Sequence, residues 1–342
     1  MWDFNMRRAM GIMLQTLPFV VLRCLVYFLI TLAYILMTGV GSGVGWGIGG
    51  FGDEGFRAMT TIWGGIAGFS ITGIIMLFLR EYILYMVKAG HIAVMVKLID
   101  NEALPEGRSQ ISYAQTVVQE RFMQANVLFA LDRLVHGVVR AITGIVRAMG
   151  SILPIPGFKN IMTFIRAFLR LAVGLIDEVI LAYIIRTDSK NPWQSARSAL
   201  ILYGQNGVNM MKNALWLTFF TYGLSLVVFL ICLAPAAALV YMLPGAWSAG
   251  GVVFALLFAW AVKAALIEPF AIACLLTAYF QAIEGQEPNP EWEQRLEGAS
   301  KQFRRLAEKA AQWRPMAPQP ATATKAALDQ AEPSAQPPSQ DH

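Results

Sequence analysis

Four long apolar runs, at about 17–39, 60–79, 214–242 and 251–281, limit what this chain can fold into. Each can cross the roughly 30 Å of a bilayer's hydrocarbon at about 1.5 Å per residue. Only lipid or other apolar helices could solvate such runs. Composition agrees, since 56% of the 342 residues are hydrophobic, 14% are charged and the mean hydropathy is +0.51. That balance excludes an ordinary soluble enzyme. The expected fold is all-α: a polytopic helical membrane protein with four transmembrane helices, or six. Amphipathic interfacial or re-entrant helices and a disordered C-terminal tail complete it. The membrane domain is expected over 1–284, a cytoplasmic amphipathic helix over 285–313 and the tail over 314–342.

Basic residues orient the spans. Arg7 and Arg8 precede the first run, which under the positive-inside rule puts the N-terminus in the cytoplasm and the Gly-rich stretch 40–58 outside as a loop. Of the 27 Lys and Arg, the two outer loops hold only Arg57, whereas residues 81–213 hold 14 and the chain after Glu284 holds 7. Both termini are therefore expected inside, in a multi-pass protein of an inner membrane. The first run is long and lacks a small-x-small exit, so it reads as a span rather than a cleaved leader. The net charge of +5 is assigned to anionic lipid headgroups and not to nucleic acid.

The middle of the chain admits more than one reading. Leu131, Leu134, Val135, Val138, Ile142, Ile145 and Met149 recur at helical spacing, with Arg133, Arg140 and Arg147 one heptad apart on another face. Such a helix, within 115–149, either lies in the headgroup layer with its basic stripe on anionic lipid or packs on its neighbours with that stripe solvated. After the break at Pro154, Pro156 and Gly157, residues 159–186 read as a re-entrant or interfacial helix, or as a span buried by its neighbours. If that segment crosses, 82–99 must cross too, giving six spans. Beyond Pro290, the seam Trp292, Leu296, Ala299, Phe303, Leu306, Ala310 and Trp313 docks on this protein's own surface or on a protein partner.

No catalytic, cofactor or metal signature emerges. Gly45-x-Gly47-x-x-Gly50 lacks the preceding strand of a dinucleotide site and reads as a flexible or re-entrant outer turn. There is no Walker A sequence, and His91 and His136 stand in neither G-x-S-x-G nor H-E-x-x-H surroundings. Cys24, Cys232 and Cys274 lie inside apolar runs as small hydrophobes. The expectation is no enzyme, no cofactor and no metal. Gly64, Gly68 and Gly73 form a small-residue face suited to close helix packing. Trp46, Trp63, Trp216, Trp247, Tyr34 and Tyr241 suit interfacial belts, or a cage for an organic cation.

Charges inside the apolar runs carry the functional expectation. Lys263 and Glu268, followed by Pro269, fall near the middle of the last run, where an uncompensated ion costs about 2.5 to 3.5 kcal/mol. Partners on other helices are therefore needed: Asp177 or Glu178 for Lys263, and Arg23 for Glu268. Pro269 also deprives the carbonyl of Ala265 of its helical donor. Either a solute or ion path or a structural ion pair fits these residues. Tyr203, Asn206 and their polar neighbours before the third run suit a broken helix at a transport site, or a helix cap.

The segment Ala196 to Leu215, ARSALILYGQNGVNMMKNAL, resembles the choline transporter-like family, whose members carry A-Y-I-x-I-A-I-Y-G-K-N-F followed by S-A-K-N-A-F. Ala196, Tyr203, Gly204, Asn206, Lys212, Asn213 and Ala214 match without a gap. LLTAYFQAIE, from Leu275 to Glu284, is similar in character to that family's closing L-F-L-C-F-L-E-D-L-E. Gln205, Gly207, Met210, Met211 and Ala282 depart from the pattern. The resemblance covers the later part of the fold and implies a helical transporter-like bundle taking a small organic cation such as choline; it assigns no binding residue. Two functions follow as expectations: a transporter-like protein binding or moving a small solute, or a non-catalytic subunit or scaffold of an envelope or secretion assembly.

Overall fold

The computed structural model describes residues 3–105, 107–122, 131, 134–142, 176–241 and 248–314. Arg133, Arg147, Trp247, residues 143–175 and the tail after Arg314 lie outside them. The chain is all-α, with four helical stretches long and apolar enough to cross a membrane: Leu17–Gly49, Glu54–Leu77, Gly207–Ala238 and Val252–Ala282. Two antiparallel hairpins carry these four stretches and rise from one helical body.

A short helix α1 (Met6–Gln15) leads into α2 (Leu17–Gly49), and α3 runs from Glu54 to Ile99. The Gly-rich stretch expected as a loop is instead helical on both sides of a tight turn, in which Asp53 caps α3 by accepting from the Phe56 N–H at 2.7 Å. The glycines are there for closeness. A Cβ added at Gly41 would lie 2.2 Å from the carbonyl oxygen of Gly64, and one at Gly45 would lie 2.0 Å from that of Thr60. Added at Gly64 or Gly68, a Cβ would come within 2.1 Å of the Gly41 or Met37 carbonyl. The two backbones therefore touch over three turns, as small residues allow between helices without a hydrophobic driving force.

At 46 residues, α3 is about 69 Å long, more than twice the hydrocarbon thickness. Residues 82–99 are thus neither an interfacial helix nor an extra span; they continue α3. Every residue from Ala89 to Val96 is buried, which follows from a segment apolar all round its circumference. Around it pack α1, α4 (Gln110–Phe122), a helical stretch over 134–142, α5 (Ile176–Arg186) and α6 (Pro192–Gln205). Leu131, Leu134, Val135, Val138 and Ile142 face this core, leaving Arg140 exposed, so the amphipathic helix turns its apolar face inward and not into lipid. The described part of 159–186, α5, is packed among its neighbours: Val179, Ile180, Ala182 and Ile184 are core residues.

The second hairpin comprises α7 (Gly207–Tyr241) and α8 (Ser248–Val262). A π-turn, Lys263–Ile267, joins α8 to α9 (Glu268–Ala282), whose residues from Ala271 to Phe280 are buried in the body. The chain ends its described course in α10 (Pro290–Ala299) and α11 (Lys301–Gln312), parted at Ser300, whose hydroxyl caps α11. Their seam closes on the body itself, with Leu296, Phe303 and Leu306 fully buried. Arg197 of α6 holds α10 through Glu293 at 2.6 Å and Glu297 at 2.5 Å.

The glycine contacts generate a paired test. Gly45→Ala is expected to lower thermal stability by about 1–3 kcal/mol through overpacking. Gly47→Ala, where nothing lies within 4 Å, should stabilise by up to about 1 kcal/mol. Thermal unfolding in detergent that ranks the two alike would contradict the backbone contact.

Candidate functional site

Where hairpins and body meet, two basic and two acidic side chains from four helices, Arg23, Lys88, Glu178 and Glu268, share a half-buried space. Arg23 of α2 is 5% exposed and lies in the fields of Glu268, first, and of Glu178. Carried down the α2–α3 register, Arg23 stands level with about residue 82, past Leu77. The cluster is therefore at the body end of the apolar stretches. Glu268, expected near mid-span, shares this level, because the last apolar stretch, Val252–Ala282, continues into the body, where Ala271 to Phe280 are buried.

The π-turn explains what Arg23 does there. The Glu268 N–H donates to the carbonyl of Lys263, five residues back, so the register has slipped by one. Pro269 then deprives the Ala264 carbonyl of a donor, not that of Ala265 as the regular helix predicts. Arg23 Nη1 approaches that Ala264 oxygen at 3.4 Å.

The expected ion pairs are redistributed. Lys88 of α3 takes Glu178 of α5, Nζ to Oε1, at 2.5 Å, with Glu178 3% exposed and Lys88 27%. Burial alone would push the Lys88 ammonium down. The charges of Glu178 and then Glu268, with the hydrogen bond, outweigh it and hold Lys88 above its ordinary range. Asp177 meets His136 instead, Oδ2 to Nε2, at 2.8 Å. Lys263 therefore finds neither Asp177 nor Glu178, because both have nearer partners; its ammonium sits over the Tyr222 ring, 5.0 Å from the centroid. Arg23 and Glu268 do face each other, as expected, but among the described residues they form no direct ion pair.

His91, one turn beyond Lys88, is fully buried and stacks on Phe19 at 5.2 Å. Its Nε2 lies 2.9 Å from Thr16 Oγ1. The Thr16 hydroxyl donates to the Ile12 carbonyl, so the imidazole is the donor to it. Burial first, and the charge of Arg23 second, push this imidazole well below the ordinary histidine range, so it is neutral. Arg23 Nε, Glu178 Oε2 and His91 Nδ1 are buried with no hydrogen-bond partner among the described residues.

The Tyr203–Asn209 cluster is a clasp. Asn206 ends α6 and donates through Nδ2 to the Leu202 carbonyl at 3.0 Å and to Gln286 Oε1 at 2.8 Å. Gln205 accepts from the Asn289 N–H at 2.9 Å. Tyr203 is buried 6.3 Å from the ring of Tyr279, whose hydroxyl donates to the Ala199 carbonyl. Burial first, and the Asp177 charge second, raise the Tyr203 phenol above its usual range. The two segments that carry the family resemblance thus pack on each other. Trp46 and Trp63 stand exposed on the first hairpin, with Arg57 over the Trp46 ring at 5.0 Å. Among the described residues no three His, Cys, Asp or Glu side chains converge as a metal site.

Lys88, His91 and Thr16 were invisible as site residues. The available signal was a lone Lys and His inside an apolar stretch, but a partner 90 residues away leaves no spacing to read. No protein-family model, curated protein or solved structure matches this chain.

Two measurements address the cluster. Glu178→Gln should cost about 1–3 kcal/mol of thermal stability, less than the 3–5 of a wholly buried pair because Lys88 is partly exposed. The double variant Lys88→Met with Glu178→Leu should recover part of that loss; a double variant worse than the single would contradict the pairing. His91 stays neutral when folded but protonates below about pH 6.5 when unfolded, so stability is lost as pH falls through that value. The slope is at most about 1.4 kcal/mol per pH unit. The wild-type advantage over His91→Gln should therefore narrow between pH 7 and pH 5, and a constant difference would refute a neutral buried imidazole.

Proposed function

We propose that this chain is a multi-pass membrane protein of transporter type, binding and moving a small charged solute at the Arg23–Lys88–Glu178–Glu268 cluster. One observation carries the reading: a donor, Arg23 Nε, and two acceptors, Glu178 Oε2 and His91 Nδ1, are buried without partners among the described residues, around two basic and two acidic side chains. Buried polar groups are nearly always satisfied, so an unsatisfied trio of mixed sense marks a place where something polar binds. The π-turn beside it supports the same reading, since such turns recur at functional sites.

Two cations and two carboxylates suit a solute bearing both charges, its carboxylate toward Arg23 and its ammonium toward Glu178 and Glu268. The resemblance to the choline transporter-like family supports a quaternary or related amine as the cationic part. The excess of Lys and Arg in 81–213 and after Glu284 supports a cytoplasmic body with both termini inside. The exposed Arg140 is suited to anionic headgroups.

Thermal stability of the purified full chain, measured against choline, betaine-like zwitterions and amino acids, tests this. A ligand at about 100 times its dissociation constant should stabilise by about 2.7 kcal/mol. The shift should vanish in Glu268→Gln and in Arg23→Gln. A flat panel from a folded sample would replace this reading with the assembly-subunit one and make co-purification the next experiment.

A further inference from the structure

Above the cluster, and separated from it by Tyr27 set edge-on against Trp260 at 5.2 Å, lies an apolar cleft of about 160 Å³. Ile30, Tyr34, Phe69, Gly73, Leu257 and Trp260 contribute to its lining, which carries no ionisable acid or amine. Gly73 was expected to extend the close-packed glycine face. Unlike Gly68 it meets no backbone; a Cβ there would have only the Tyr34 hydroxyl at 3.6 Å. Five residues on from Gly68, Gly73 lies about 140° round α3 from the row that touches α2 and so faces the cleft.

We propose that this cleft holds one acyl chain of a bilayer lipid. Three observations converge on that occupant. The lining lies within the apolar stretches of α2, α3 and α8, which are long and apolar enough to cross a bilayer, whose interior is hydrocarbon. The cleft is continuous with outward-facing apolar surface, since Leu77 in its lining is 60% exposed and Ile74 beside it 57%. Its wall on α3 runs from Phe69 to Leu77, about 12 Å parallel to the helix axis, the direction in which lipid chains run and longer than a compact ring requires. An apolar cavity of this size stays dry, and left empty its walls would forgo their dispersion contacts. The inference is independent of the solute site.

The test places the full-length chain in vesicles of phosphatidylcholine brominated along its acyl chains. Trp260 fluorescence is isolated as the difference between wild type and Trp260→Phe. The expected result is quenching of the Trp260 component, lost in Gly73→Leu, whose side chain fills the cleft, and partly lost in Gly73→Ala. The alanine variant keeps the test decisive if the leucine variant fails to fold, because its Cβ makes only an ordinary contact. Quenching unchanged in the folded filling variants would overturn the proposal. An unquenched Trp260 would overturn it too: with an aromatic compound retained in native mass spectrometry the occupant is a compact ring, and with nothing retained the cleft is empty.

Discussion

The contact between the backbones of α2 and α3 is what the remaining architecture hangs on. Antiparallel helices packed through Gly41, Gly45, Gly64 and Gly68 cannot rotate or slide without driving a carbonyl into a Cα, so the register between them is single-valued. With α3 held against α2, its extension past Leu77 enters the body at a set angle and rotation. Ala89 to Val96 then form the axis on which α4, α5 and α6 assemble. The same register sets Arg23 level with about residue 82, within two turns of Lys88, 65 residues away in the chain.

At that level the surface of the chain changes character. Outside it, Leu25, Phe28, Ile74 and Leu224 are exposed and apolar, as lipid-facing side chains are; beyond it, apolar side chains turn inward on a core of the kind soluble domains have. Charges tend to collect at such a boundary, because neither medium on its own satisfies them. Lys88 and Glu178 neutralise each other, and Arg23 lies between Glu268 and a carbonyl that Pro269 left without a donor. The π-turn makes this possible: one extra residue in the turn selects which carbonyl is freed and turns it toward α2.

Several features could be read from residues alone. Four apolar runs matched four long helices, and the seam from Leu296 to Leu306 closed on the body; Arg23 and Glu268, expected as partners, face each other without a direct ion pair among the described residues. Errors arose where one pattern serves two environments. An apolar segment such as Ala89 to Val96 looks the same whether lipid or protein surrounds it, and glycine serves both loops and tight helix contacts. Asp177 and Glu178 were expected beside Lys263, but their partners His136 and Lys88 come from segments that no local spacing connects to them.

The sequence by itself determined the helical class, the number of long apolar stretches and the residues that had to find partners, because hydropathy and burial cost are properties of a segment and the medium it needs. Only the tertiary structure decided which charge answers which, where the outward-facing apolar part of each helix ends, and that Gly68 closes a contact while Gly73 lines a cleft. Those outcomes depend on register between helices distant in the chain, and register is set by close packing that no single segment encodes.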